Sequence, residues 1–346
     1  MKIFKTTVLT LAILAGSLTY AQDEVAEESA VEATEEKPSF SVSGSIDTYY
    51  RSNDYAPYTS FANLPGFALG MANIVLSYEG EKSGFVADLV YGPRGADAVF
   101  NSAGSSNIVN QLYAYYNVND KLTLTLGNFN TFLGYEVISP VANFNYSTSY
   151  MFSYGPFSHT GIKADYAVSD NVSIMVAVMN ATDETEADYS DASTFGAQLG
   201  LYGQYINFLS GDDYTQFDFT GGFNISEKLF LGINATTTEL AADASFSGVA
   251  LYPQYTLSDS FSLGIRGEIF SETNGGAGAL YSGALSGSSE DADNTSFTIT
   301  GSYTKGNFML KPEFRIDTAS ANIYSKNATD FSDNLASFVV AAIYAF

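Results

Sequence analysis

From Ser39 to Phe346 the chain alternates apolar and polar residues with a period of two, and the breaks between the alternating runs come in two lengths. Lys82, Lys121, Lys228 and Lys305 each sit in or beside a short turn, and two more tight turns fall at 169–171 and 258–260. Between them lie long connections at 53–67, 93–107, 130–158, 181–194, 240–246, 271–294 and 320–334. A period of two is the mark of strands. Short and long breaks in strict alternation are the pattern of strands running back and forth between two unlike surfaces, one carrying tight turns and the other long loops. A sandwich gives no reason for such sorting. The runs fall near 39–52, 68–79, 84–92, 108–117, 121–130, 159–168, 172–180, 195–202, 204–210, 214–225, 228–238, 247–256, 260–270, 295–303, 307–319 and 335–346. That is about sixteen strands of roughly 9–11 residues, enough to cross a bilayer. The run 204–210 is the weakest, because Tyr202-Gly203 before it lacks the usual turn signature, and fourteen strands is the fallback.

Periodicity does not say which face is inside, but charge does. In the run 307–319, Phe308, Leu310, Pro312, Phe314 and Ile316 oppose Met309, Lys311, Glu313, Arg315 and Asp317. A lysine or arginine facing lipid at mid-depth costs about 2–4 kcal/mol. The charged faces must therefore look inward, which places Asp47, Arg51, Asp88, Lys163, Asp165, Asp218, Arg266, Glu268, Lys311, Glu313, Arg315 and Asp317 on the lumen side. The expected fold is all-β: a transmembrane, up-and-down antiparallel β-barrel with short periplasmic turns and long external loops. Closure satisfies every backbone group without water, and a bore of about sixteen strands is wide enough for an aqueous channel unless something fills it. Arg51, Lys311 and Arg315 should gather on one wall. They serve there either as a cationic ladder that shapes the field across a pore or as partners of Asp47, Glu313 and Asp317.

The two ends fit this reading. Residues 1–21 carry Lys2 and Lys5, an apolar core from Val8 to Ala15, and small residues ending at Ala21, the form of an export signal. The apolar core is shorter than the roughly 20 residues a membrane helix needs. Its removal takes two lysines and no acid, moving the formal net charge from -24 to -26. Residues 22–38 follow with seven acids and no aromatic residue, apart from the barrel, as a solvated periplasmic tail. At the other end Phe338, Val340, Ala342, Tyr344 and Phe346 share one face of a last strand closing on an aromatic residue, the form of a signal for the outer-membrane assembly machinery.

Gly134-Tyr-Glu-Val-Ile-Ser-Pro140, Asn143-Phe-Asn-Tyr-Ser147, Phe157-Ser-His-Thr-Gly161, Gly92-Pro-Arg-Gly-Ala-Asp-Ala98 and Asn107-Ile-Val-Asn-Gln111 resemble the putative beta-barrel porins of Gram-negative outer membranes (the porin-2-like group). The resemblance is sharp from about Gly44 to Asn180 and is one of pattern afterwards. It implies an outer-membrane barrel more firmly than a solute, and it brings no catalytic residue with it.

The break at 130–158 stands apart. It holds eight aromatic residues and a single charge, Glu136, which makes poor material for a loop in water. We expect it to fold inward and narrow the bore, with Tyr135, Glu136, Phe144, Tyr146, Tyr150, Phe152, Tyr154 and the chain's one histidine, His159, at the constriction. An aromatic cap over the rim is the competing arrangement.

Other chemistry finds little support. Cysteine is absent, which removes disulfides and thiol catalysis. Ser158 and His159 are neighbours on a strand and face opposite sides, so they form no dyad, and an outer-membrane hydrolase is the weakest reading. The acidic external loops, with Asp183, Glu184, Glu186, Asp188 and Asp191, then Asp212 and Asp213, then Glu290, Asp291 and Asp293, match no calcium loop and read as solvated. No metal site or cofactor is expected, and the negative charge argues against nucleic acid. The expected function is passive diffusion of small hydrophilic solutes or ions, with no enzymatic activity. A loop-plugged barrel with a structural or surface-binding role is the alternative. Lipid and the assembly machinery are the expected partners; the oligomeric state and the solute are not fixed by the sequence.

Overall fold

The computed structural model describes residues 38–52, 55–56, 62–100, 102, 104–186, 193–275, 291–326 and 330–346. The export segment and all but the last residue of the acidic tail lie outside the described residues, as do Asp188, Asp191 and Glu290. The strands are β1 (Ser39–Arg51), β2 (Gly66–Glu79), β3 (Ser83–Tyr91), β4 (Val109–Asn119), β5 (Leu122–Asn130), β6 (Ser158–Ser169), β7 (Val172–Met179), β8 (Thr194–Leu201) and β9 (Gln204–Gly211). They continue as β10 (Tyr214–Asn224), β11 (Leu229–Leu240), β12 (Ser245–Ser258), β13 (Phe261–Thr273), β14 (Ala292–Lys305), β15 (Phe308–Ala319), the short pair β16 (Tyr324–Ser325) and β17 (Phe331–Ser332), and β18 (Asn334–Ala345). All but β16 and β17 join, each antiparallel to its neighbours, in one closed sixteen-stranded barrel.

The seam closes β1 on β18, from Ser45 opposite Ala345 to Arg51 opposite Val339. Gly44 and Phe346 extend it, each donating its N–H to the other's carbonyl at 3.0 Å. Outward positions carry the apolar band expected of a lipid-facing wall, among them Leu126, Ile206, Phe217, Ile269 and Phe314. Their neighbours in sequence, Thr125, Asn207, Asp218, Glu268 and Glu313, are buried inside.

The ninth strand, the weakest run in the sequence, is fully formed as expected, and its turn works because Tyr202 (φ 53°) and Gly203 (φ 79°) both take positive φ, the requirement of a type I′ hairpin. One detail differs from the reading of the sequence, the loop sorting. The connection of β9 to β10 is only Asp212-Asp213, and that of β11 to β12 is 241–244, so two connections at the end that carries the long loops are short. The strands there run further than their apolar alternation does, because Thr236 to Glu239 pair with Ser245 to Gly248 through backbone bonds that need no apolar side chain.

Candidate functional site

The segment 131–157 leaves β5, descends into the barrel and returns to β6. Its side chains enter apolar clusters on four parts of the wall. Tyr150, Met151 and Tyr154 pack with Phe246, Ala250, Tyr252 and Phe270 of β12 and β13. Ile138, Phe152 and Phe157 pack with Met71, Val90, Ala98 and Val99. Tyr146 joins Tyr49, Val339, Ala341 and Ile343 at the seam, and Leu133 joins Phe129, Met175, Ala177, Met179 and Leu209. A loop touching β1–β3, β5, β7, β9, β12, β13 and β18 at once crosses the bore and does not sit above it. Burial of its aromatic rings is the driving force, each side chain contributing on the order of 1.5–3 kcal/mol.

The wall also shapes itself to the loop. A Cβ on Gly264 would stand 2.3 Å from the Phe144 ring, and one on Gly232 would stand 2.5 Å from the Tyr135 ring. These glycines are dents that admit a ring at contact distance. Tyr135 also stacks on Tyr252, with ring centroids 4.3 Å apart.

Buried main chain needs partners, and here the wall charges supply them. Glu313 accepts from the N–H groups of Tyr146 (2.7 Å) and Ser147 (3.0 Å). Glu268 accepts from those of Tyr150 and Met151, both at 2.9 Å. These last two open the short helix α2 (Tyr150–Tyr154), whose N-cap is Ser149, so a carboxylate meets the positive end of a helix turn. Glu136 accepts from Ser149 N–H at 2.7 Å and pairs with Arg266 at 2.8 Å. Cations take the carbonyls. Arg315 donates to Thr148 O at 2.8 Å while it pairs with Asp317, and Lys311 donates to Pro140 O at 2.9 Å and to Asn143 O. Arg266 donates to Ser147 O, and Tyr146 donates its hydroxyl to Asp47.

Of the twelve charges assigned inward from the sequence, Asp47, Arg51, Asp88, Asp218, Arg266, Glu268, Lys311, Glu313, Arg315 and Asp317 are buried. Lys163 and Asp165 are partly exposed and pair with each other at 2.9 Å. Arg51, Lys311 and Arg315 do lie on neighbouring strands, in the order β1, β18, β15. Lys311 and Arg315 are engaged with the loop main chain, which favours clamping over the field-shaping ladder. Asp88 accepts from Asn73 and Asn110 and belongs to the wall's own network.

His159 stands in β6 beside the root of the loop, fully buried. Its Nε2 lies 3.0 Å from Thr131 Oγ1, and its ring packs 5.1 Å from that of Phe132. Phe338, Tyr344 and Phe346 face outward on or beside β18.

Three contributors escaped the sequence. Arg94, in the helix α1 (Pro93–Ala98), is buried; it donates to Ile138 O at 3.0 Å and Tyr146 O at 3.3 Å and lies over the Tyr146 ring. It belongs to a loop, where no strand period could orient it. Tyr324, in β16, meets the Tyr150 hydroxyl at 2.9 Å. Asp183 was grouped with solvated acids, yet it is buried and accepts from Phe157 N–H (2.6 Å) and Ser158 N–H (2.9 Å). Burial raises its carboxyl to about 7 against the opposing pull of those two bonds. Burial also lifts the Tyr135 phenol to about 12 and those of Tyr146 and Tyr150 well above their ordinary value, so all three hydroxyls stay neutral.

The comparisons with known proteins agree on the architecture. The family model described as putative beta-barrel porin-2, OmpL-like, matches residues 39–346. No functionally curated protein matches the sequence. Among solved structures, an anion-selective porin from Comamonas acidovorans aligns with 9% identity over 90% of this chain and 100% of its own, with a TM-score of 0.60. The trimer form of in-vitro folded OmpT, an outer membrane protein of Vibrio cholerae, aligns with 10% identity over 90% and 100%, with a TM-score of 0.55. At such identities the likeness is one of fold.

Proposed function

The chain belongs to the putative beta-barrel porin-2, OmpL-like, family, and from this premise we propose that it is an outer-membrane channel for passive diffusion of small hydrophilic solutes, throttled by the loop 131–157. The observation that carries the proposal is that this loop spans the bore and is held there by wall charges through its own main chain. The twelve inward charges then divide by role. Glu268, Lys311, Glu313, Arg315 and Arg266 position the constriction, whereas Lys163 and Asp165 face the wider periplasmic vestibule.

Export by residues 1–21 and recognition of Phe338, Tyr344 and Phe346 by the assembly machinery belong to the same reading. Catalysis has no part in it: His159 is packed among Phe129, Phe132 and Thr131 as a fixture of the loop root. One observation favours a second reading, a barrel plugged for a structural role. The crevice between loop and wall beside Asp218 has room for only about 10 Å³, roughly one water molecule. Single-channel recording of purified protein in planar bilayers separates the two. Small, resolvable steps are expected for a throttled porin; silence across the voltage range favours the plug.

A further inference from the structure

The cations of the clamp are one-sided. Arg266, Lys311 and Arg315 sit on β13 and β15 and Arg94 on α1, while the wall of β8 to β11 turns inward Gln198, Asn207, Gln216, Asn234 and Thr236, with Asp218 among them and no lysine or arginine. Between residues 164 and 265 the sequence has one basic residue, Lys228, in a turn at the periplasmic end.

The crevice lies against this wall. Gln216, Asp218, Asn234 and Thr236 line it on one side, and Leu133, Gly134, Met151, Phe152, Gly155 and Pro156 on the other. Met151 and Phe152 of the loop's short helix bring bulk to it, but the two limbs beside them bring little: Gly134 and Gly155 have no side chain, and Pro156 has no N–H for the wall to hold. Asp218 receives three N–H donors, from Gly134 (2.9 Å), Asn207 (2.8 Å) and Asn234 (2.6 Å), and among the described residues no ion pair reaches it. Above the crevice, the external ends of β9, β10 and β11 carry Asp212, Asp213, Glu239 and Asp243, all exposed. A mouth of one sign over a narrow, low-dielectric passage concentrates counter-ions.

Resting on the channel reading, we propose that solutes cross between the loop and the β10–β11 wall, and that Asp218 with the acidic rim above it makes this path selective for small cations, such as alkali metal ions and protonated amines. Arg266, Lys311 and Arg315 of the opposite wall do not set the preference, because they are engaged with the loop. This is the reverse of the preference in the name of the Comamonas barrel.

The test uses full-length protein in planar bilayers under a potassium chloride gradient. Wild type is expected to show a reversal potential on the potassium side, moving toward zero in Asp218→Asn. Because Asp218→Asn also touches Gly134, a second variant, Thr236→Lys, adds a positive charge to the crevice without altering Asp218; it is expected to shift the reversal potential toward chloride. The chain has no cysteine, so Thr236→Cys can be probed with a cationic thiosulfonate, which should label it and reduce the current. Ser296→Cys, buried on β14 opposite Asp317, should stay unlabelled until the protein is denatured. An anion preference in wild type overturns the inference, as does an unchanged reversal potential in both charge variants, or labelling of Ser296→Cys in place of Thr236→Cys. Conductance with any of these results leaves the channel reading intact. No conductance in wild type or in a loop deletion overturns that reading and this path with it.

Discussion

Glu136, on the loop, and Arg266, on β13, form an ion pair of 2.8 Å with both side chains shut away from solvent. Such a pair costs desolvation of both charges, and its partial removal strands one of them in a dry interior. Arg266→Met alone should destabilise the barrel by about 3–5 kcal/mol. The double variant Glu136→Gln, Arg266→Met should recover most of that loss. Urea unfolding in detergent micelles measures both, and a double variant no better than the single one would show that the pair is not the coupled unit.

The glycine dents make a steric prediction. Valine at Gly264 meets the Phe144 ring, and overpacking of this kind costs about 1–3 kcal/mol. The barrel closes through backbone pairing that the added methyl groups do not disturb, so the loop should yield first. Gly264→Val is expected to raise conductance while leaving the heat-modifiable, folded band in gel electrophoresis. Lowered conductance with an intact barrel would mean that the ring does not occupy the dent.

Asp183 predicts a pH dependence. Its carboxyl titrates at about 7 in the fold, against 3.8 for an ordinary aspartate. Between those values the folded protein holds the proton that the unfolded chain has lost, so anchorage at Phe157 and Ser158 weakens as pH rises from about 4 to 7. Amide exchange of Phe157 and Ser158 should be faster at pH 8 than at pH 5.5 after correction for intrinsic rates. Asp183→Asn, which keeps a side chain that tolerates the φ of 64°, should abolish that excess. An equal excess in the variant would assign it elsewhere.

Much of the barrel could be read from period and charge alone. The face rule oriented residues such as Asp218, Glu268 and Arg315 because a strand has only two sides and lipid forbids a charge on one of them. Loops have no such rule. Arg94 and Asp183 are as buried as the strand charges, yet nothing in their local sequence marks them, since they are fixed by contact with Ile138, Tyr146 and Phe157 far along the chain or on another element. The in-folded segment itself was visible because eight aromatic rings with one charge cannot rest in water. Its partners were not. That Glu313 and Glu268 hold main-chain N–H groups, and do not face a solute, follows only from three-dimensional register.

The seam gives a fourth prediction. Phe346 exchanges two backbone bonds with Gly44, and its ring reaches to within contact of that residue. Deleting Phe346 removes both bonds at the closing edge and the terminal aromatic residue together. The folded fraction after assembly into liposomes should fall, and Phe346→Tyr should restore it. Equal yields for the deletion and the wild type would remove the terminal residue from the account of assembly.

The central claim is that the loop 131–157 is the constriction, and the direct test is single-channel conductance with and without its descending part. Deleting residues 141–151 removes Tyr146, the N–H groups held by Glu313 and Glu268, and Phe144 from its dent, while the limbs at Gly134 and Phe157 remain to span the rim. The account predicts a folded barrel whose conductance steps are several times larger than those of the intact protein. A folded barrel with unchanged steps would contradict it.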